Sequence, residues 1–202
     1  MDEQQLDLIM GGIQFQESGK MKIYLETERM ILREFTQNDL DLLVDLDSDP
    51  EVTRYINGGK PTPKDYIFER VMPRILNYYT NTSQLGIWAT LDKKDLAFMG
   101  WFHFRRYQPD PTEIELGYRF KRQYWGRGLA TEGSKALIQK GFEELDLDVI
   151  VAITDPEHGA SRRVLEKAGL TYEKDFAEAD GFIVVKYRLE REKYWEQKEA
   201  LS

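Results

Sequence analysis

The stretch Arg122-Gln123-Tyr124-Trp125-Gly126-Arg127-Gly128-Leu129-Ala130-Thr131-Glu132-Gly133 carries the residue types and spacing best suited to chemistry. Gly126 and Gly128 stand between a strand-like run, Ile114 to Phe120, and a helix-like run, Ala130 to Leu145. Glycine lets backbone approach a ligand closely. The first amides of a helix have no intrahelical partner, and the helix dipole adds partial positive charge there. A phosphate or pyrophosphate fits such an end. Two well-known phosphate loops fail on particular residues. A P-loop needs Gly-Lys-Ser/Thr where Gly128-Leu129-Ala130 stands. A dinucleotide fingerprint needs glycine where Thr131 stands, and it opens its domain, whereas strand-like segments precede this loop.

The elements that must position this loop are legible from periodicity. The domain is expected to start at Met21–Leu25, and strands are expected at Met30–Phe35, Gln84–Leu91, Leu96–Arg105, 113–120, Leu147–Ile153, Leu170–Phe176 and Phe182–Leu189. Asp92-Lys93-Lys94-Asp95, Pro109-Asp110-Pro111 and Ala179-Asp180-Gly181 read as turns. Helices are expected over Asp39–Leu46, Glu51–Ile56, Lys64–Asn81, from Ala130, over Ser161–Ala168 with Gly169 as its stop, and over Glu190–Leu201. Strands interspersed with helices predict one mixed sheet.

Trp125-Gly126-Arg127-Gly128-Leu129-Ala130 resembles the acetyl-CoA pyrophosphate loop, Q/R-x-x-G-x-G/A, of the GNAT N-acetyltransferases. The chain from about Met21 to Leu189 is similar to this superfamily, and more closely to its RimJ/RimL-type branch. The matching segments are Leu25 to Arg33, Asp49 to Ile56, Glu115 to Tyr118, Tyr124 to Glu132 and Ser161 to Leu170. The resemblance implies an α/β (α+β) GNAT fold with one central mixed, mostly antiparallel sheet flanked by helices. It places an extension at 1–20, the acetyltransferase domain at 21–190 and a helical tail at 191–202. Two positions depart from the family pattern. Trp125 opens the loop in place of Gln or Arg, and His158 replaces the Asn of Pro-Glu-Asn-x-x-Ser. An imidazole cannot present an amide's donor and acceptor together.

The resemblance implies acetyl-CoA as cosubstrate. Backbone groups of Gly117, Tyr118, Arg119 and Phe120 would pair with its pantetheine arm. The amides of Trp125, Gly126, Arg127, Gly128, Leu129, Ala130 and Thr131 would hold the pyrophosphate, with Arg127 as charge support. His158 and Ser161 would meet the cofactor before the last family helix, and Arg163 and Lys167 lie near the adenosine end. Transfer to an amine needs a proton acceptor, donors for the carbonyl oxygen, a proton for the leaving thiolate and two aligned substrates. Glu115 is the expected base, acting through water, with Glu113 in reserve; the other reading of Glu115 is a structural ion pair. A base there needs a raised pKa. Ser161 either donates to the thiolate or caps its helix, with Tyr118 and Tyr172 as alternative donors. Tyr55, Trp101, His103 and Tyr107 are aromatic candidates for the acceptor side.

Composition narrows the remaining classes. With 202 residues, 41% of them hydrophobic, the chain can fill one ordinary core. It has no cysteine, which removes thiolate chemistry and an acetyl-cysteine intermediate, and only two histidines, so no metal centre is expected. A net charge of -8 argues against a nucleic-acid partner and suits an acidic soluble surface or a cationic substrate. No apolar run is long enough to span a bilayer, and residues 1–5 lack a secretory start, so a cytoplasmic protein is expected. The expected partner is an amine, on a protein N-terminus or a small molecule, and the chain is expected to be a monomer or homodimer. The alternative is an acyl-CoA-binding sensor or interaction protein with lost or weak turnover, prompted by His158.

Overall fold

Alternation along the strands divides side chains between two cores. In β3 (Gly86–Asp92), Ile87, Ala89 and Leu91 face one side and Trp88 the other. In β4 (Phe98–Tyr107), Phe102 and Phe104 join the second core while Trp101, His103 and Arg105 point to the opposite face. The computed structural model describes residues 21–81, 84–177 and 181–200. Their strands form one sheet, completed by β1 (Ile23–Glu26), β2 (Met30–Glu34), β5 (Asp110–Phe120), β6 (Val149–Thr154), β7 (Thr171–Ala177) and β8 (Ile183–Glu190). The order is β1-β2-β3-β4-β5-β6-β8-β7, and every neighbouring pair is antiparallel except β5 with β6. The mixed, mostly antiparallel sheet flanked by helices is therefore present as expected.

Helices cover both faces. On one side lie α1 (Leu40–Ser48), α2 (Pro50–Asn57), a short α3 (Lys64–Tyr66) and α4 (Met72–Asn81), which bury Leu43, Leu46, Val52, Met72 and Ile75 against Ile31, Ile87 and Leu91. On the other lie α5 (Leu129–Glu143) and α6 (Gly159–Lys167), whose Leu137, Ile138, Phe142 and Leu165 pack on Phe102, Phe104, Leu116 and Ile150. The final α7 (Arg191–Glu199) follows β8, and its Tyr194 stacks on Phe142 at 5.0 Å. No helix among the described residues is long and apolar enough to cross a membrane.

The single helix expected over Lys64–Asn81 differs in one respect. A π turn, Ile67–Val71, separates α3 from α4. Pro73 explains it: proline has no N–H to return to the carbonyl four residues back, and the ladder widens just before it. The turn expected around Pro109 falls at residues 108–109, and Asp110 and Pro111 already belong to β5. The helix expected from Ser161 begins two residues earlier, at Gly159. The proposed extension 1–20, most of the turn at Ala179-Asp180-Gly181 and residue 201 lie outside the described residues.

Phe102 joins the sheet to α5. It is fully buried, meets Phe120 edge-on at 5.3 Å, and presses so closely on Gly133 that a Cβ there would lie 2.3 Å from its ring. Phe102→Ala is expected to lower unfolding stability by about 3–5 kcal/mol with an unchanged denaturant slope, read by urea titration.

Candidate active site

Parallel pairing between β5 and β6 is brief. Ile114 lies opposite Ile150 and Glu115 opposite Val151, and beyond them the strands part. β5 continues to Phe120 on its β4 edge, and β6 to Thr154 on its β8 edge. The inner backbone edges of 116–120 and 152–154 therefore have no strand partner in each other.

A cleft of about 590 Å³ opens along this parting. Two helix N-termini face it, the Gly128–Thr131 end of α5 and the His158–Ser161 end of α6. Gly128, at φ 77°, precedes α5 without a side chain to cap its first amides. Trp125, though half exposed, donates its indole N–H to the Phe120 carbonyl at 2.8 Å and so ties the loop back to β5. Tyr118, Arg119, Phe120, Trp125, Gly126, Gly128, Leu129, Ala130, Thr131, His158 and Ser161 all line this cleft, joined by Arg163 and Lys167 from successive turns of α6. Gly117 and Arg127 do not. Gly117 lies on a second cleft, and the Arg127 guanidinium sits over the Tyr124 ring while its carbonyl accepts from Arg29. His158 takes the place before α6: its Nδ1 faces the Ser161 amide at 3.5 Å and its ring stacks on Tyr55 at 4.3 Å. Burial lowers its pKa, so the neutral imidazole that accepts this bond is the favoured form.

The second cleft, about 430 Å³, shares Tyr55, Tyr118, Arg119, Ile153 and Ser161 with the first and continues over Trp101, His103, Arg105, Tyr107 and Glu115. All four aromatic candidates for the acceptor side thus come together. Tyr118 and Ser161 stand at the junction, with their hydroxyl oxygens 3.1 Å apart. Burial raises the Tyr118 pKa above its ordinary 10, so the phenol stays protonated and able to donate at neutral pH. Tyr172 lines neither cleft; it is exposed and packs edge-on against Tyr187.

The two carboxylates on β5 both lie in ion pairs, the other reading of Glu115. Glu115 is buried and receives both the Nε and Nη2 hydrogens of Arg105, at 3.0 and 2.9 Å. Desolvation alone would raise its pKa, but His103 and this guanidinium outweigh it and hold the carboxyl at about 2. This direction is opposite to the raised pKa that suits a base. Glu113, the reserve, is buried in an ion cluster with Lys186 (2.6 Å) and Arg188, and lines neither cleft.

Further residues, not singled out by sequence, hold the site together. Glu132, in the first turn of α5, accepts from the Thr27 hydroxyl (2.5 Å), the Arg29 amide (2.9 Å) and the Arg29 Nε (2.6 Å). Asp45, Asp47 and Asp49 pair with Lys121, Arg119 and Arg122, docking the α1–α2 junction on the end of β5. This brings Arg54, Tyr55 and Ile56 of α2 over both clefts. The alternating acids in Asp45-Leu46-Asp47-Ser48-Asp49 were a visible signal, but their partners lie about seventy residues away.

Glu115 also makes a pH prediction. A carboxyl whose folded pKa of about 2 lies below its ordinary 4.5 stabilises the fold above the higher value, and this contribution is lost as pH falls toward the lower one. Glu115→Gln should flatten the acid side of a stability–pH curve between these values, by up to about 3 kcal/mol, read by urea titration at stepped pH.

Comparison with known proteins agrees with this geometry. The acetyltransferase (GNAT) domain model matches residues 29–171. An uncharacterized N-acetyltransferase, p20, of Bacillus licheniformis is 32% identical over 168 residues, covering 81% of this chain and 92% of that protein. The crystal structure of a GNAT-family acetyltransferase from Bacillus anthracis superposes with TM-score 0.69 at 23% identity, over 84% of this chain and 99% of the other. RimL, the ribosomal L7/L12 alpha-N-protein acetyltransferase, solved in complex with coenzyme A, gives 0.70 at 16% identity, over 84% and 98%. With its parted strands, its glycine loop and a family match over most of its length, the chain belongs to the GNAT acetyltransferases.

Proposed function

We propose that the protein moves the acetyl group of acetyl-CoA directly to a primary amine in a ternary complex, in the manner of the RimJ/RimL-type branch. One observation carries the donor side: a cleft at the parting of β5 and β6 that two helix N-termini face. Unpaired strand amides suit an extended amide-bearing arm, and helix N-termini suit a pyrophosphate. Arg163 and Lys167 add local positive charge in a chain of net charge -8. The residues present thus fit the cosubstrate, which supplies an activated acetyl thioester. Gly117 to Phe120 would hold its arm, the 125–131 loop its pyrophosphate, and Tyr118 with Ser161 would donate to the leaving sulfur. His158 is compatible with this role, since it caps α6 and stacks beside the cleft without closing it. The second cleft would take the amine, on a protein N-terminus or a small molecule.

Calorimetry should show one acetyl-CoA bound per chain, and thiol release should depend on an added amine, with no acetylated protein formed from the donor alone. Binding without release over a panel of amines and peptides would favour a sensor instead. Tyr118→Phe is expected to lower kcat about a hundredfold while donor affinity stays within about threefold. Gly128→Val, which forces a branched side chain to a φ of 77° at the mouth of α5, should weaken donor binding at least about tenfold by the same calorimetry.

A further inference from the structure

The strand register aligns a set of side chains on the floor of the second cleft. His103 lies opposite Gly117, Arg105 opposite Glu115 and Trp101 opposite Arg119, all on one face of β4 and β5. Gly117 lies in the parted stretch of β5, and its missing side chain makes room for the imidazole: a Cβ there would lie 2.4 Å from the ring. The ring is also stacked on Trp101 at 5.5 Å. Its Nε2 is buried and faces Glu115 Oε1 at 3.4 Å. Arg105 grips that carboxylate through both oxygens. A neutral ring that turns its Nε2–H toward this carboxylate keeps Nδ1 as the accepting nitrogen.

Resting on the acetyl-transfer reading above, we infer that His103 is the proton acceptor for the incoming amine and Glu115 its positioning residue. Glu115 fixes the ring and balances the charge that forms on it, and Arg105 keeps Glu115 in place. An ammonium brings three protons. His103 takes one and passes it to solvent, which leaves the nitrogen lone pair free to form the C–N bond as the C–S bond breaks. A second proton ends on the leaving sulfur through the Tyr118 and Ser161 hydroxyls, and the third remains on the product amide. Glu115 and Arg119 on β5 and Arg105 on β4 act on the ring, and the other charged and titratable groups lining the cleft are Tyr107 on β4, Tyr118 on β5, Arg54 and Tyr55 on α2 and Asp155 after β6. Burial, the largest influence, lowers the imidazole pKa below 6.5, against the upward pull of Glu115. The ring is thus neutral and able to accept at pH 7, and the rate it supports is lost as pH falls through its folded pKa.

Two measurements test this. The chain has two histidines, so the imidazole C–H resonances are assigned by His158→Asn alone, and the His103 titration is followed by NMR. His103 should titrate below 6.5 in the wild type and lower still in Glu115→Gln. A His103 that is protonated at pH 7.5, or whose titration ignores Glu115→Gln, overturns the inference without recourse to turnover. In kinetics, His103→Gln should lower kcat at pH 7.5 by about a hundredfold or more, with KM for acetyl-CoA within about threefold, and should erase the acid limb of the kcat–pH profile. Glu115→Gln should lose about tenfold and move that limb to lower pH. Retention of kcat within threefold in His103→Gln sinks this assignment alone, whereas a wild type that releases no thiol with any amine sinks the transfer reading itself.

Discussion

The separation of two strands in mid-sheet is the constraint on which the rest of this molecule depends. Strand edges demand partners, and a sheet ordinarily meets that demand along its whole length. Here β5 keeps β4 to its end and β6 keeps β8, so each is secured on its outer side while the inner edges diverge after Glu115 and Val151. The N-terminus of α6 stands by the gap, with Ser161 in contact with the Tyr118 hydroxyl. A gap in the middle of a sheet keeps its walls rigid, because both are anchored by complete ladders. This is a better platform for aligning two substrates than a mobile loop would be.

Polar contacts of long sequence reach hold the lids over that gap. The Asp45, Asp47 and Asp49 pairs differ in exposure and so in weight. Asp47 and Arg119 are both mostly buried, whereas Lys121–Asp45 and Arg122–Asp49 each have an exposed member of the kind that contributes ~1 kcal/mol or less. Their common effect is placement. They seat α2 so that Tyr55 reaches His158 across the cleft. Arg119 also lies over Trp101, so one guanidinium links the α1–α2 junction, the strand and the floor of the second cleft.

Local pattern made the glycine loop, both helix starts and most strands legible, because a turn or a helix end is decided by neighbours in sequence. The strand order was not legible: that β8 would lie between β6 and β7, or that β5 would pair in parallel with β6 over two residues only, depends on packing across the whole chain. The same limit governed the carboxylates. Sequence placed Glu115 and His103 on strands but could not supply the register that sets both His103 and Arg105 beside Glu115, where together they lower the pKa of its carboxyl. Trp125 shows a milder case. Its departure from Gln or Arg was visible, but its bond to the Phe120 carbonyl was not.

The grip of Glu132 on Thr27 and Arg29 joins residues more than a hundred positions apart. The strand–loop–helix segment that looks self-sufficient in sequence is therefore incomplete by itself. Its far wall is furnished by the β1–β2 hairpin, through Glu132 and through the Arg29 hydrogen bond to the Arg127 carbonyl. The loop is thus not a portable cassette: grafted to another sheet without that hairpin, it would keep its glycines and lose its shape.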